Sequence, residues 1–198
     1  ANGGRPASKK NARRRGATLV FLDESGFMLT PLARRTYAPR GQTPIQRCWD
    51  LRDRISAISA ITLSPVRQRL GLYFQLLPDN RNVRSENVVE FLRLLLRQLR
   101  RPMTIIWDRS NVHQRALVVR DFLCKHRRIV TAQFPAYAPE LNPDEGVWSY
   151  TKYARLANFA PTDSDHLRSS LLQEFTRLKS RKELLAGFIE HSKLPLNL

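Results

Sequence analysis

Ser85–Asp108, SENVVEFLRLLLRQLRRPMTIIWD, changes period part-way along. Val88, Val89, Leu92, Leu95, Leu96 and Leu99 recur at three- and four-residue spacing. That pattern predicts a helix over Ser85–Arg100, with Ser85 as its N-cap. Pro102 ends it. Met103–Trp107 (MTIIW) is then a short apolar run that predicts a buried strand, stopping at Asp108. Upstream, Ala17–Leu22 (ATLVFL) is a similar run. It ends at Asp23-Glu24-Ser25-Gly26 and reads as a strand stopped by turn chemistry. Arg54–Leu63 and Arg69–Leu77 predict two more strands, close enough in sequence to form an antiparallel meander with the first. A helix standing between that meander and Met103–Trp107 is the crossover that makes strands parallel neighbours.

Working outward, Thr36–Pro44 is broken by Pro39, Gly41 and Pro44 and should be extended or looped. Downstream, His113–Lys125 predicts a helix with Leu117, Val118, Phe122 and Leu123 inward, and Ile129–Phe134 a last strand. Pro135, Pro139 and Pro143 punctuate a loop. Pro143 also suits the first turn of a helix running to about Leu156. Ser164–Leu178 and Ser180–Lys193 predict two amphipathic C-terminal helices. The expectation is an α/β domain over residues 17–198: a mixed five-stranded sheet flanked by helices, with extra C-terminal helices. Residues 1–16, basic and without an acid, read as a flexible arm or linker.

The chain has 198 residues, of which 34 are basic and 17 acidic, a net charge of +17. A charge that large points to a polyanionic partner and says nothing of fold. The uncharged stretch between Arg54 and Arg67 holds 12 residues, among them three serines and a proline, too short and polar to span a bilayer. No apolar secretory core follows the basic N-terminus. Cys48 and Cys124 stand alone, which argues against a zinc site or disulfide framework and for a cytoplasmic protein with reduced thiols.

In so basic a chain, acids at the ends of buried strands need a reason. Asp23 follows Leu22 and Asp108 follows Trp107. If their strands are adjacent and parallel, both carboxylates emerge side by side. Two such carboxylates repel, so they imply a shared cation or a shared proton. Two aspartates that simply cap turns are the alternative. Hard oxygen ligands that leave room for water suit Mg²⁺. Glu145, in the first turn of the helix after Pro143, could complete a metal site; Asp144 is its rival. Glu24 should point away from Asp23 by strand alternation. Trp107 and Trp148 read as core rather than as base-stacking platforms.

FLDESGF (Phe21–Phe27), WDRSNVH (Trp107–His113) and PELNPDEGVW (Pro139–Trp148) resemble the three acidic blocks of DDE transposases. They are most similar to the bacterial insertion-sequence transposases related to the mariner superfamily. YAPRGQTP (Tyr37–Pro44) resembles a further block of that group. The order of the motifs, their strand contexts and the N-P-x-E-x-x-W form carry the resemblance. With 36 residues between Asp108 and Glu145, the spacing is slightly longer than the commonest one.

The resemblance implies a ribonuclease H-like fold and a catalytic, metal-binding triad of Asp23, Asp108 and Glu145. These would hold two Mg²⁺ ions, for which Mn²⁺ could substitute. It implies DNA cleavage at transposon ends, then transfer of the freed 3′-hydroxyl into target DNA. Arg109, Asn111, His113, Arg34, Arg35 and Arg40 are candidate phosphate or DNA contacts. DNA is the expected partner, a homodimer on paired ends a further one, and the nucleoid of a bacterium the expected location. No helix-turn-helix fits ahead of Asp23, so the expectation is the downstream half of a split or truncated transposase, or a catalytic domain by itself. A ribonuclease H-like nuclease without strand transfer and an inert nucleic-acid-binding remnant are the competing readings.

Overall fold

The computed structural model of the chain describes residues 15–47, 53–65, 69–110 and 116–194. Five strands form one sheet: β1 (Thr18–Met28), β2 (Arg54–Leu63), β3 (Leu70–Leu76), β4 (Met103–Trp107) and β5 (Ile129–Gln133). Their spatial order is β3-β2-β1-β4-β5. The first three pair antiparallel, and β1, β4 and β5 pair parallel. The mixed five-stranded sheet expected from the sequence is therefore present. The helix that breaks the meander, α1 (Ser85–Gln98), provides the crossover that lets β4 run alongside β1.

Some elements differ from the sequence reading. β1 does not stop at Asp23. It runs on to Met28, because β2 offers it a partner at every position out to Met28↔Arg54. Cross-strand pairing here outweighs the turn tendency of Asp-Glu-Ser-Gly. The N-cap of α1 is Arg84, not Ser85, and Asn87 accepts a hydrogen bond from the Arg84 backbone N–H. α2 covers Leu117–Lys125 and turns Val119 and Phe122 inward, while Leu117 and Val118 are exposed. The expected start of that helix, at His113, lies outside the described residues, as do residues 1–14 of the basic arm.

Strand alternation divides the interior into two layers. Val20, Leu22, Ile58, Met103, Ile105 and Trp107 face α1 and α2. Leu19, Phe21, Phe27, Ile55 and Ile61 face the C-terminal helices. These are α3 (Asp144–Ser149), which continues as a π-helical turn over Tyr150–Arg155, α4 (Ser164–Ser180) and α5 (Lys182–His191). Phe175 of α4 stands at the centre of this layer, edge-on to Phe27 and Trp148 at 5.9 and 6.1 Å between ring centroids. Asp163 caps α4 by accepting from the backbone N–H of His166 at 2.7 Å.

Candidate active site

The parallel pairing fixes where the first two aspartates go. Phe21 lies opposite Ile106 in the last β1–β4 pair; Asp23 and Asp108 each follow two residues on, and both line one cleft. Alternation puts Asp23 on the face covered by α3, where it meets Trp148. The loop after β5 makes a single turn of 3₁₀-helix at Pro139–Leu141 and then enters α3. Within N-P-D-E each residue has its own task. The Asn142 side chain accepts from the Asp144 backbone N–H at 3.1 Å. Pro143 presets the first turn. Asp144 turns inward and is fully buried, and Glu145 is exposed.

Asp23, Asp108 and Glu145 line one open cleft of about 500 Å³, together with Arg109, Asn142 and Tyr137. The three carboxylates expected from the sequence are thus on the walls of a single cavity, and Arg109 is with them. Arg34, Arg35 and Arg40 are not. They sit on the exposed segment after β1, where Arg34 Nη1 donates to the Tyr153 carbonyl at 2.9 Å and its guanidinium stacks over the Tyr153 ring. Asn111 and His113 lie outside the described residues. Asp108 accepts from the Ser110 backbone N–H at 2.9 Å, which holds it at the mouth of its own loop.

Asp23 has the more strained environment. Burial pushes its carboxyl up to about 7, and repulsion from Glu145 and Glu24 adds to this. The Glu24 backbone N–H and the Trp148 indole oppose the shift; Trp148 Nε1 donates to Asp23 Oδ2 at 3.1 Å. Trp148 and Trp107 are both buried in their layers, so both are core residues, and Trp148 also steadies a carboxylate.

Two neighbours escaped the sequence reading. Lys152 follows Glu145 by seven residues, two turns on one helix face, and that spacing was the available signal. Its ammonium donates to Ser25 Oγ at 2.7 Å and lies 5.3 Å from the Phe27 ring centroid. Burial lowers its pKa, against the attraction of Glu145 and Asp23. Ser59, fully buried on β2, donates its hydroxyl to Asp144 Oδ2. Burial and the charges of Asp23, Glu145 and Glu24 raise the Asp144 pKa well above the ordinary range.

What can this arrangement hold? Among the described residues no three carboxylate, imidazole or thiol groups close into a cage around one point. The donors are nonetheless hard oxygens on the walls of one open cleft. Burial, with repulsion from Glu145 and Glu24 added, already drives Asp23 towards its protonated form. That suits a cation which keeps water and ligand oxygens in its shell, as Mg²⁺ and Mn²⁺ do, rather than one sealed by protein ligands.

A family model for DDE superfamily endonuclease matches residues 18–168. The chain belongs to that family. As a DDE superfamily endonuclease it shares its fold with Mos1 structures. It is similar to the Mos1 strand transfer complex at 20% identity and a TM-score of 0.64, over 93% of this chain and 54% of that chain. It is similar to the Mos1 mariner paired end complex with Mn at 21% identity and 0.64, over the same shares. The mariner Mos1 paired end complex with Mg matches at 19% and 0.63, over 91% and 54%. At such identities the likeness is one of fold, the ribonuclease H-like arrangement expected from the motifs. The chain spans little more than half the length of these Mos1 chains. No curated protein matches it by sequence. No helix among its described residues is long and apolar enough to cross a membrane.

Proposed function

We propose that this chain is the catalytic domain of a transposase, cutting DNA at element ends and joining the freed 3′-hydroxyl to target DNA. The observation that carries the reading is the meeting of Asp23, Asp108 and Glu145 on one open cleft in a chain of net charge +17. Neither half would suffice: a basic surface alone fits any nucleic-acid binder, and three acids alone repel DNA.

Asp23, Asp108 and Glu145 would hold two divalent ions, Mg²⁺ or Mn²⁺, each through carboxylate oxygens. When bound, such ions polarise the phosphate and stabilise the attacking and leaving oxygens of an in-line displacement. The chain's own residues do the rest. Trp148 fixes one Asp23 oxygen by an indole hydrogen bond and so orients that carboxylate. Arg109, exposed on the rim, is placed to meet a phosphate oxygen. Lys152 offsets the acidic centre from the side of Ser25. In cleavage, a water oxygen bonds to phosphorus, the bond to the 3′ oxygen breaks, and that oxygen takes a proton. In joining, the freed 3′-hydroxyl takes the place of water, so one phosphodiester is exchanged for another. No covalent bond to a protein side chain is needed.

The Mos1 relatives include a paired end complex with Mn and a strand transfer complex, which supports extending both the metal and DNA to this chain. A homodimer acting on two ends belongs to the same reading. The test is a nicking and strand-joining assay with Mg²⁺ or Mn²⁺. Wild type should do both, and Glu145→Ala should fall to background. Hydrolysis without joining would favour a nuclease of the same fold; equal activity in the two proteins would refute the triad. DNA binding should weaken linearly in log–log form as salt rises, and a flat curve would contradict backbone recognition.

A further inference from the structure

Asp144 and Glu145 are adjacent in sequence and opposite in surroundings. Glu145 is exposed on the cleft; Asp144 is wholly buried. One Asp144 oxygen accepts from the Ser59 hydroxyl, and the other is buried with no hydrogen-bond partner among the described residues. Residues 144 and 148 are one turn apart and share a helix face. Trp148 donates to Asp23, and Asp23 is the cross-strand partner of Ser59. α3 is therefore tied to the sheet at two points one turn apart, and their two anchors lie directly opposite each other across the β1–β2 pair.

A helix held at two such points can neither roll about its axis nor slide along it. Successive residues are about 100° apart around a helix, so fixing Asp144 against the sheet turns Glu145 sideways into the cleft. An apolar residue at position 144 would pack the helix at a lower desolvation cost but with no directional constraint. The buried carboxyl, with one oxygen left unpaired, is a cost that packing alone does not require.

We propose that Ser59 and Asp144 are positioning residues for the metal site: their hydrogen bond sets the roll of α3 and hence where Glu145 meets Asp23 and Asp108, while Asp144 itself ligates nothing. The inference rests on the metal-dependent reading above and adds a named device to it.

The test is calorimetric titration of Mn²⁺ into the purified chain and its variants, with thermal melting and the nicking rate followed against Mn²⁺ concentration. Ser59→Ala and Asp144→Ala should each weaken Mn²⁺ binding by about 10- to 100-fold, the range for residues that orient metal ligands. Saturating Mn²⁺ should restore much of the nicking rate in both, since all three ligands remain. Asp144→Asn keeps an acceptor for the Ser59 hydroxyl and should recover most of the affinity lost in Asp144→Ala. The double variant Ser59→Ala/Asp144→Ala should bind no worse than the weaker single one, because the two residues act through one bond.

Mn²⁺ affinities equal to wild type in both alanine variants would overturn the proposal. So would an Asp144→Asn variant as weak as Asp144→Ala, since that would make Asp144 a ligand. If Asp144→Ala does not melt cooperatively, Ser59→Ala, which deletes a single oxygen, decides the question alone. A wild-type chain that takes up no Mn²⁺ would remove the metal reading and this one with it. A wild type that binds while its variants are indifferent would remove only this one.

Discussion

The two faces of the sheet are built by the same strands and do different work. On the face covered by α1 and α2, Val20, Leu22, Ile58, Leu92, Ile105 and Trp107 pack as an almost unbroken apolar layer. On the other, the apolar layer of Phe21, Phe27, Trp148 and Phe175 is interrupted at one edge by Asp23, Ser59 and Asp144. Both faces remove hydrocarbon from water, and that is what holds the fold. Only the second also buries carboxyl groups, which costs free energy unless a proton, a hydrogen bond or a cation compensates. The interruption falls where β1 and β4 cease to pair, at the carboxyl end of β4, and open α/β sheets place their ligands at such strand ends. Stability and chemistry are thus separated by a single sheet thickness, and a substitution can be aimed at one without the other.

The largest expected loss of stability belongs to the apolar face. Leu92 is fully buried between α1 and the sheet. Leu92→Ala should cost about 2–5 kcal/mol in denaturant unfolding, the range for emptying a tight core site. The molecules still folded should bind Mn²⁺ as wild type does; a matching loss of affinity would break the separation of the faces. Gly146→Ala probes the other side with a smaller effect. A β-carbon there would lie 2.6–2.9 Å from three atoms of Phe188 on α5, closer than packed atoms approach. Overpacking of that kind costs about 1–3 kcal/mol. Because Gly146 adjoins Glu145, nicking per folded molecule should fall as well. A variant stabilised towards the better helix propensity of alanine, with unchanged activity, would mean that Phe188 yields freely and that α5 does not bear on the site.

How much of this was legible in the sequence follows from how local each signal is. Met103–Trp107 after an amphipathic helix announced a parallel strand, and the fold class followed from that order. The end of β1 was not legible, since Asp23–Gly26 looks like a turn until β2 is laid against it. The inward face of α2 was misjudged because a helix of nine residues offers too few turns for periodicity to choose between Val118 and Val119. The three carboxylates were legible because each follows an apolar run or opens a helix in an otherwise basic chain, although Asp23 itself lies within β1 and not at its end. Ser59 was not. In RISAISAITL a serine reads as small filler, and its role appears only when a helix 85 residues later docks over it. Asp144 read as a competing ligand for the same reason: burial is a tertiary fact, and adjacent residues of a helix can meet opposite environments.

The last effect depends on pH and most directly weighs burial against charge. Asp23 has its folded pKa raised from 3.8 to about 7, chiefly by burial and then by repulsion from Glu145 and Glu24. Between those values the folded chain holds a proton that the unfolded chain has released, so this carboxyl withdraws stability as pH rises from about 4 to about 7. Asn carries no such charge and can still accept from the Trp148 indole. Without metal, Asp23→Asn should therefore melt closest to wild type at pH 4 and well above it at pH 8. Added Mn²⁺ should reverse the order at pH 8, because only the wild-type carboxylate gains a cation partner in place of the lost proton. Should the two proteins melt alike at both pH values, with and without Mn²⁺, Asp23 would be an ordinary solvated acid, and the contrast between the faces of the sheet would lose its energetic basis.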